Sequence, residues 1–386
     1  MPFYFDHAAS SPLRPEAARA FETYAASSYA GTNPNALHTP GRAAALALES
    51  ARKDIAHVLG PQVRPSEIVF TSGGTEGDNL AVFGLAEAVR ERSPRRNAVV
   101  LSAIEHEAVL SCAPELRKRG FEVRIVPPTR AGVIEPAAVE ELLDERCALV
   151  SIMSANNETG ILQPIVELAA AAHAAGALFH TDAVQAFARV RVHPSNVDAL
   201  TITGHKVGGP VGIGALFLKT GVRLTPALHG GGQERALRPG TQNVAGALAF
   251  AAAARACAVA HDAHAPAIRA RAERLVSALV AADAGIYPTV EASFGAERLP
   301  GTVHVFARGI EAGSVLLKLD AAGFAISSGS ACSASSPEAS HVLSAMGLSR
   351  EDSLGALRIS FDERVMDDAL DALASALITC VRDLRR

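Results

Sequence analysis

The chain has 386 residues, 49% of them hydrophobic and 20% charged, with 31 Gly, 21 Pro and no Trp. That composition excludes wholesale disorder, and the length, at roughly 150 residues per domain, predicts more than one domain. Against 40 acidic residues there are 36 basic ones, a net charge of −4, and the densest basic stretch, Arg90 to Arg96, contains Glu91 and Pro94, so no nucleic-acid footprint is expected.

The N-terminus MPFYFDHAASSP lacks a basic segment followed by an apolar one, and no uninterrupted apolar stretch reaches the ~18 residues of a membrane span. Neither signal peptide nor anchor is expected. The five cysteines, Cys112, Cys147, Cys257, Cys332 and Cys380, are odd in number and far apart, which argues against a disulfide framework or a CxxC motif and predicts a cytoplasmic setting. From Glu67 to Lys219, short apolar runs alternate with Ala-rich helical stretches. The predicted strands are 68–71, 98–102, 123–126, 149–153, 178–181, 199–203 and 214–218. Strands separated by helix-length segments predict βαβ units and a mostly parallel sheet covered on both faces. A long Ala-rich helical stretch then runs from Thr241 to Asp283 with an interruption expected near Pro266, and a domain boundary falls inside it. Sparser strands follow at 303–306, 324–327 and 357–361. Leu370, Leu373, Leu377, Val381 and Leu384 form the stripe of an amphipathic helix, with Cys380 as a packed thiol beside it.

Ligands of such sheets bind at the carboxyl ends of the strands, which directs attention to three segments. Phe70-Thr71 runs into Ser72-Gly73-Gly74-Thr75 and a helical pattern. Glycines there let free amides approach an anion; read blandly, they make a turn with Thr75 as the helix cap. Asp182 follows the run Phe179-His180-Thr181, where a solvent-exposed cap is the default for an aspartate. Thr203-Gly204-His205-Lys206 sets a histidine and a lysine among glycines at the same edge. An anion cradle, an acid for a ring nitrogen and a lysine for a Schiff base are the set that pyridoxal phosphate requires.

With these residues in view, the chain resembles the class V branch of the fold-type-I pyridoxal-phosphate enzymes, and within it the group I, NifS/IscS-like cysteine desulfurases. The motifs run nearly end to end: FDHAASSP, FTSGGTEGDN, EHEAV, NNETG, HTDAVQ, TGHKVGGPVGIG, HGGGQERALRPGT, SSGSACSASS and LRIS. Their order and spacing carry the specificity. The resemblance implies an α/β, fold-type-I transferase with a mostly parallel seven-stranded sheet in a large domain (14–255), and a smaller α+β domain from 1–13 and 256–386 carrying a cysteine loop.

Residue by residue, the resemblance makes Lys206 the lysine that carries the cofactor, Asp182 the partner of the pyridine nitrogen and His106 the residue stacked on the ring. Gly74, Thr75, Thr203 and His205 match phosphate ligands, and Thr241 matches one donated by the other subunit of a homodimer. Gln185 and Asn157 lie near the ring hydroxyl, Asn157 also near the substrate carboxylate, which Arg358 clamps. Taken singly, His106 reads as a core histidine and Arg358 as a structural ion pair.

Cys332 sits in Ser327-Ser328-Gly329-Ser330-Ala331-Cys332-Ser333-Ala334-Ser335-Ser336, whose small polar residues predict an exposed loop. The implied reaction converts L-cysteine to L-alanine, with sulfur held as a persulfide on Cys332 and passed to an acceptor protein, an iron–sulfur scaffold or a tRNA- or cofactor-thiolation enzyme. His106 or the cofactor is expected to accept the Cys332 proton. The short stretch after the last helix, ending at Arg386, lacks the tail by which some members dock a scaffold, so persulfide formation is the firmer expectation. The alternatives are selenocysteine lyase, another class V aminotransferase, which would not need Cys332, and a silent binding module, which would not need Lys206, Asp182 and Cys332 together.

Overall fold

The computed structural model describes residues 3–291, 295–329 and 339–386. Its main sheet has seven strands, β1 (Ile68–Thr71), β2 (Ala98–Ser102), β3 (Glu122–Val126), β4 (Cys147–Ser151), β5 (Leu178–Asp182), β6 (Ala199–Thr203) and β7 (Gly214–Leu218), in the spatial order β1-β7-β6-β5-β4-β2-β3. Every pairing is parallel except the two made by β7. Two reversals leave β1 parallel to β2 through β6, so the carboxyl ends of these strands share one edge. The central strands are buried along their whole length, as a sheet covered by helices requires. Strand β4 begins two residues earlier than expected and ends at Ser151 rather than Met153, because a register shift at Ala98 lets pairing start at Cys147.

Helix α1 (Pro15–Ala25) and helix α2 (Thr39–Leu59) lie before the sheet in the chain, and helix α3 (Gly74–Arg92) follows β1 directly. A Cβ at Gly77 would stand 2.7 Å from Cγ2 of Thr201 on β6, so only glycine lets α3 approach this closely. At its far end the basic stretch is used internally: Arg90 lies over the Phe121 ring, 4.0 Å from its centroid, and Arg96 donates to the carbonyls of Cys147 and Gly176.

Helix α6 (Val244–Ala281) corrects an expectation, since it runs unbroken through Pro266. Proline in a helix interior costs about 3 kcal/mol, but both halves of this helix are anchored. Its first half buries Val244, Phe250 and Cys257 in the core that also takes Leu48 and Ile55 of α2, while its second half buries Ile268, Leu275 and Leu279 in a separate cluster. By length and composition α6 could cross a membrane, yet half of its most apolar window is buried inside the fold. The second cluster also holds Phe5, strands β9 (Thr302–Ala307) and β10 (Ala356–Ser360), which pair antiparallel beside β8 (Ile286–Pro288), and the Leu370-Leu373-Leu377-Val381 stripe of helix α7 (Asp367–Leu384). The strand expected over 324–327 shrinks to Phe324–Ala325, parallel to Phe3–Tyr4, because Ser327 turns to bridge Arg358 on β10. Cys112, Cys147, Cys257 and Cys380 are buried free thiols.

Candidate active site

The shared strand edge opens into a cavity of about 500 Å³ whose lining includes Gly74, Thr75, His106, Asn157, Asp182, Gln185, Thr203, His205, Lys206 and Arg358. These come from five separate strand ends or loops and from the middle of strand β10, which is how scattered motifs become one site. One expected residue is not in the lining. Thr241 is exposed on the loop before α6, and Cys332 lies outside the described residues. The residues flanking its segment both bond to the cavity wall: Nη1 of Arg358 donates to the carbonyl of Gly329 at 2.9 Å, and Oγ of Ser340 donates to Oε2 of Glu158 at 2.6 Å.

At one end of the cavity α3 begins at Gly74 with Gly73 as its N-cap. Thr75 is therefore inside the first turn rather than the cap. No side chain caps this terminus, leaving first-turn N–H groups and the positive end of a 19-residue helix for an anion. Glu76 steadies the turn by accepting from Ser72 N at 2.8 Å while pairing with Nε of Arg238 at 2.8 Å. His205, just past β6, is pushed down to about 4 by burial and then by the nearby charges of Lys206 and Arg189.

In the middle stand the acid and the amine. Asp182 ends β5 buried rather than exposed, its Oδ1 accepting from Val184 N at 2.8 Å. Burial pushes its carboxyl up, against the pull of that N–H and of His106 and Lys206. Beneath it, His180 is fully buried, with Nδ1 at 2.8 Å from Ser151 Oγ and Nε2 at 2.9 Å from Thr201 Oγ1. Lys206 donates to the carbonyls of Ala8 (2.6 Å) and Ala9 (2.9 Å). Burial, then the cations Arg358 and Arg189, bring it down to about 8, placing a lysine within reach of neutral pH for proton transfer.

Toward the other end, Arg358 on β10 is 2% exposed and spends Nη1 on the carbonyls of Asn157 and Gly329 and Nη2 on Asp6 Oδ1 at 2.8 Å. Its Nε, and Oδ1 of Asn157, are buried without a partner among the described residues. Unpaired buried polar atoms are costly, and two of them on one cavity wall mark where a polar ligand belongs. His106 caps the short helix α4 (Glu107–Leu110), which α5 (Cys112–Lys118) follows, and Nδ1 of His106 accepts from Ala108 N at 3.1 Å; burial, the main cause, holds its proton affinity down.

The structure adds residues that sequence reasoning did not single out. Asp78, Glu158 and His341 line the same cavity, and Glu105 lies behind it, fully buried and raised to about 8 by burial, accepting from Met153 N at 2.8 Å and from Ser102 Oγ. Glu105 and Glu158 stood inside the EHEAV and NNETG motifs, where the neighbouring His106 and Asn157 drew the attention. No group of His, Cys, Asp and Glu suited to a metal ion occurs among the described residues.

Comparison with known proteins agrees along the whole chain. The family model for aminotransferase class-V matches residues 3–373. The chain is 39% identical to an IscS-like cysteine desulfurase of Mycobacterium tuberculosis, over 99% of this chain and 97% of that one, and 37% identical to the cysteine desulfurase IscS of Methanosarcina thermophila, over 99% and 92%. Among solved structures, a NifS-like protein superposes with a TM-score of 0.89 at 32% identity, over 100% of this chain and 99% of that one. SspA in complex with cysteine superposes with 0.79 at 33%, over 93% and 99%. With a family model over residues 3–373 and full-length relatives at 37–39% identity, the chain belongs to the class-V aminotransferase family, among its cysteine desulfurases.

Proposed function

We propose that this protein takes sulfur from L-cysteine, releases L-alanine and holds the sulfur as a persulfide on Cys332 for an acceptor protein serving iron–sulfur cluster assembly or thiolation. The observation that carries the reading is the convergence of Lys206, Asp182, the uncapped start of α3 and Arg358 in one cavity. The relatives named cysteine desulfurase and the SspA structure with cysteine support the choice of substrate.

The residues present fit pyridoxal 5'-phosphate. The first turn of α3 with Thr75, Thr203 and His205 would take its phosphate, Asp182 its ring nitrogen, His106 its ring face, and Gln185 with Asn157 the ring hydroxyl. The unpaired Oδ1 of Asn157 is the orphan such a ligand would satisfy. Gly74 fits as well, since a Cβ there would sit 2.9 Å from Val184. When bound, this cofactor supplies an electron sink that lets bonds at the substrate α-carbon break.

The chain's own groups then have separable tasks. Arg358 and Asn157 hold the substrate carboxylate, which competes with Asp6 for the guanidinium fork. Lys206, lowered to about 8 chiefly by burial, is within reach of neutral pH and can take the proton from Cα. The Cys332 thiolate attacks the substrate sulfur; the C–S electron pair stays with carbon, which gains a proton and leaves as alanine, while Cys332 keeps the second sulfur. The buried thiols are poor substitutes: burial pushes Cys112 to about 12 and raises Cys147 and Cys257. Thr241, exposed and outside the cavity, serves the phosphate of a second copy, which makes a homodimer the working unit. Replacing Cys332 with Ser should leave bound-cofactor absorbance intact and abolish persulfide formation; turnover like wild type in that variant would refute the scheme.

A further inference from the structure

The loop before α6 turns on a backbone that its residue types disfavour. Glu234, Arg235 and Ala236 follow one another with φ of 45°, 58° and 62°, a left-handed run that persists only where its surroundings hold it and that collects at functional sites. The hold is visible at its base. The buried Glu234 carboxylate takes Nη1 and Nη2 of Arg52 and the N–H of Phe70, and Leu237 N donates back to the Glu234 carbonyl at 3.1 Å.

The rest of the loop is tied down residue by residue. Gly240 N donates to Oε1 of Gln233 at 3.2 Å, and Oε1 of Gln242 accepts from Nδ2 of Asn35 at 2.9 Å. Arg238 reaches Glu76 in the first turn of α3, with Nε at 2.8 Å from Oε1 and Nη2 at 3.4 Å from Oε2. Both side chains of that pair are largely shielded from water, which spares it the screening of an exposed pair. Thr241 is the residue left over. Both its neighbours are bonded inward, it is exposed, and its side chain makes no hydrogen bond among the described residues.

We propose that this fastening presets Thr241 for the cofactor phosphate of a second copy of the chain, and that Arg238 is a positioning residue acting across the dimer. The inference rests on the reading of Thr241 as a ligand of the second copy. Arg238 holds the loop to one subunit three residues before the hydroxyl that the other subunit uses. The competing role is local: through Glu76, which also accepts from Ser72 N, Arg238 would steady the anion turn of its own subunit. The two roles differ in which subunit loses cofactor.

Mixed dimers built from two differently tagged chains separate them. Lys206→Ala on one chain removes its covalent attachment, so the visible absorbance of pyridoxal phosphate that survives dialysis reports the other site. Arg238→Ala on the Lys206→Ala chain should speed cofactor loss from the intact site by roughly tenfold, the worth of one hydrogen bond to a charged group, and Arg238→Lys there should restore most of the retention. Arg238→Ala on the chain that keeps Lys206 should leave retention as in the parent mixed dimer. Loss confined to this second arrangement, equal loss in both, or loss in neither overturns the proposal. Arg238→Gln repeats the test should the alanine variant assemble poorly, with size-exclusion chromatography as the control. If Thr241→Ala on the Lys206→Ala chain speeds cofactor loss and Arg238→Ala there does not, this inference alone falls. If Thr241→Ala there changes nothing, the role of Thr241 falls with it, and wild type that binds no pyridoxal phosphate would sink the desulfurase reading first.

Discussion

Lys206→Met, made in the cofactor-free protein, should change stability with a sign that depends on pH. Burial first, and then the charges of Arg358 and Arg189, bring the lysine from 10.5 to about 8. At about 1.4 kcal/mol per unit, holding the protonated lysine in the fold costs about 3 kcal/mol at neutral pH. Between about pH 8 and 10.5 the unfolded chain binds more protons than the folded one, so stability rises with pH through that window. Below it the full cost is present, and above it the lysine is neutral in both states and the cost vanishes. Methionine removes the charge at similar length but gives up the bonds to Ala8 and Ala9, about 1 kcal/mol each. The variant should therefore be about 1 kcal/mol more stable than wild type at pH 7 and about 2 kcal/mol less stable above pH 10.5. Urea unfolding of both apoproteins at the two pH values measures this. A stability difference that does not move with pH would refute the reasoning, because it would mean that Lys206 is an ordinary lysine. Confirmation would show the buried amine of the cavity as a group kept at the expense of stability.

Three further substitutions probe the supports of the site. Arg358→Lys keeps the charge but not the fork that reaches Asp6, Asn157 and Gly329; KM for L-cysteine should rise by roughly ten- to a hundredfold with a smaller change in kcat, and an unchanged KM would remove Arg358 from substrate binding. Glu234 sits buried with both oxygens on Arg52, at 2.6 and 2.8 Å, and also accepts from Phe70 N at 2.9 Å on β1. Glu234→Gln should lower unfolding free energy by about 3–5 kcal/mol; a loss under about 1 kcal/mol would show the pair to be dispensable. Gly77→Ala forces α3 away from Thr201 and should cost about 1–3 kcal/mol while weakening cofactor retention on dialysis. Wild-type retention and melting temperature would show that α3 has room to spare.

The strands of the main sheet were legible because each is a short apolar run flanked by turn residues, and their alternation with helices set the parallel topology. Lys206, Asp182 and the Gly73-Gly74 turn could be placed at one edge for the same reason, since strand ends fix position even where side chains do not. Chain-order patterns carry no tertiary energetics, which is why Pro266 read as a break although packing at both ends of α6 keeps it helical. Asp182 read as an exposed cap because a carboxylate after a strand usually is one; only the assembled sheet shows the burial that raises it. His341 gave no signal of its own, because the Glu105 carbonyl that holds it at the cavity lies 236 residues away in the chain.

The role of Cys332 as the sulfur carrier is tested most directly by mixing holoenzyme with one equivalent of L-cysteine, without acceptor or reductant, and following alanine and the masses of the cysteine-containing peptides. Alanine should be released in step with the gain of one sulfur atom on the Cys332 peptide alone. Alanine released with all sulfur appearing as free sulfide, or with the added mass on Cys112, Cys147, Cys257 or Cys380 instead, would contradict it.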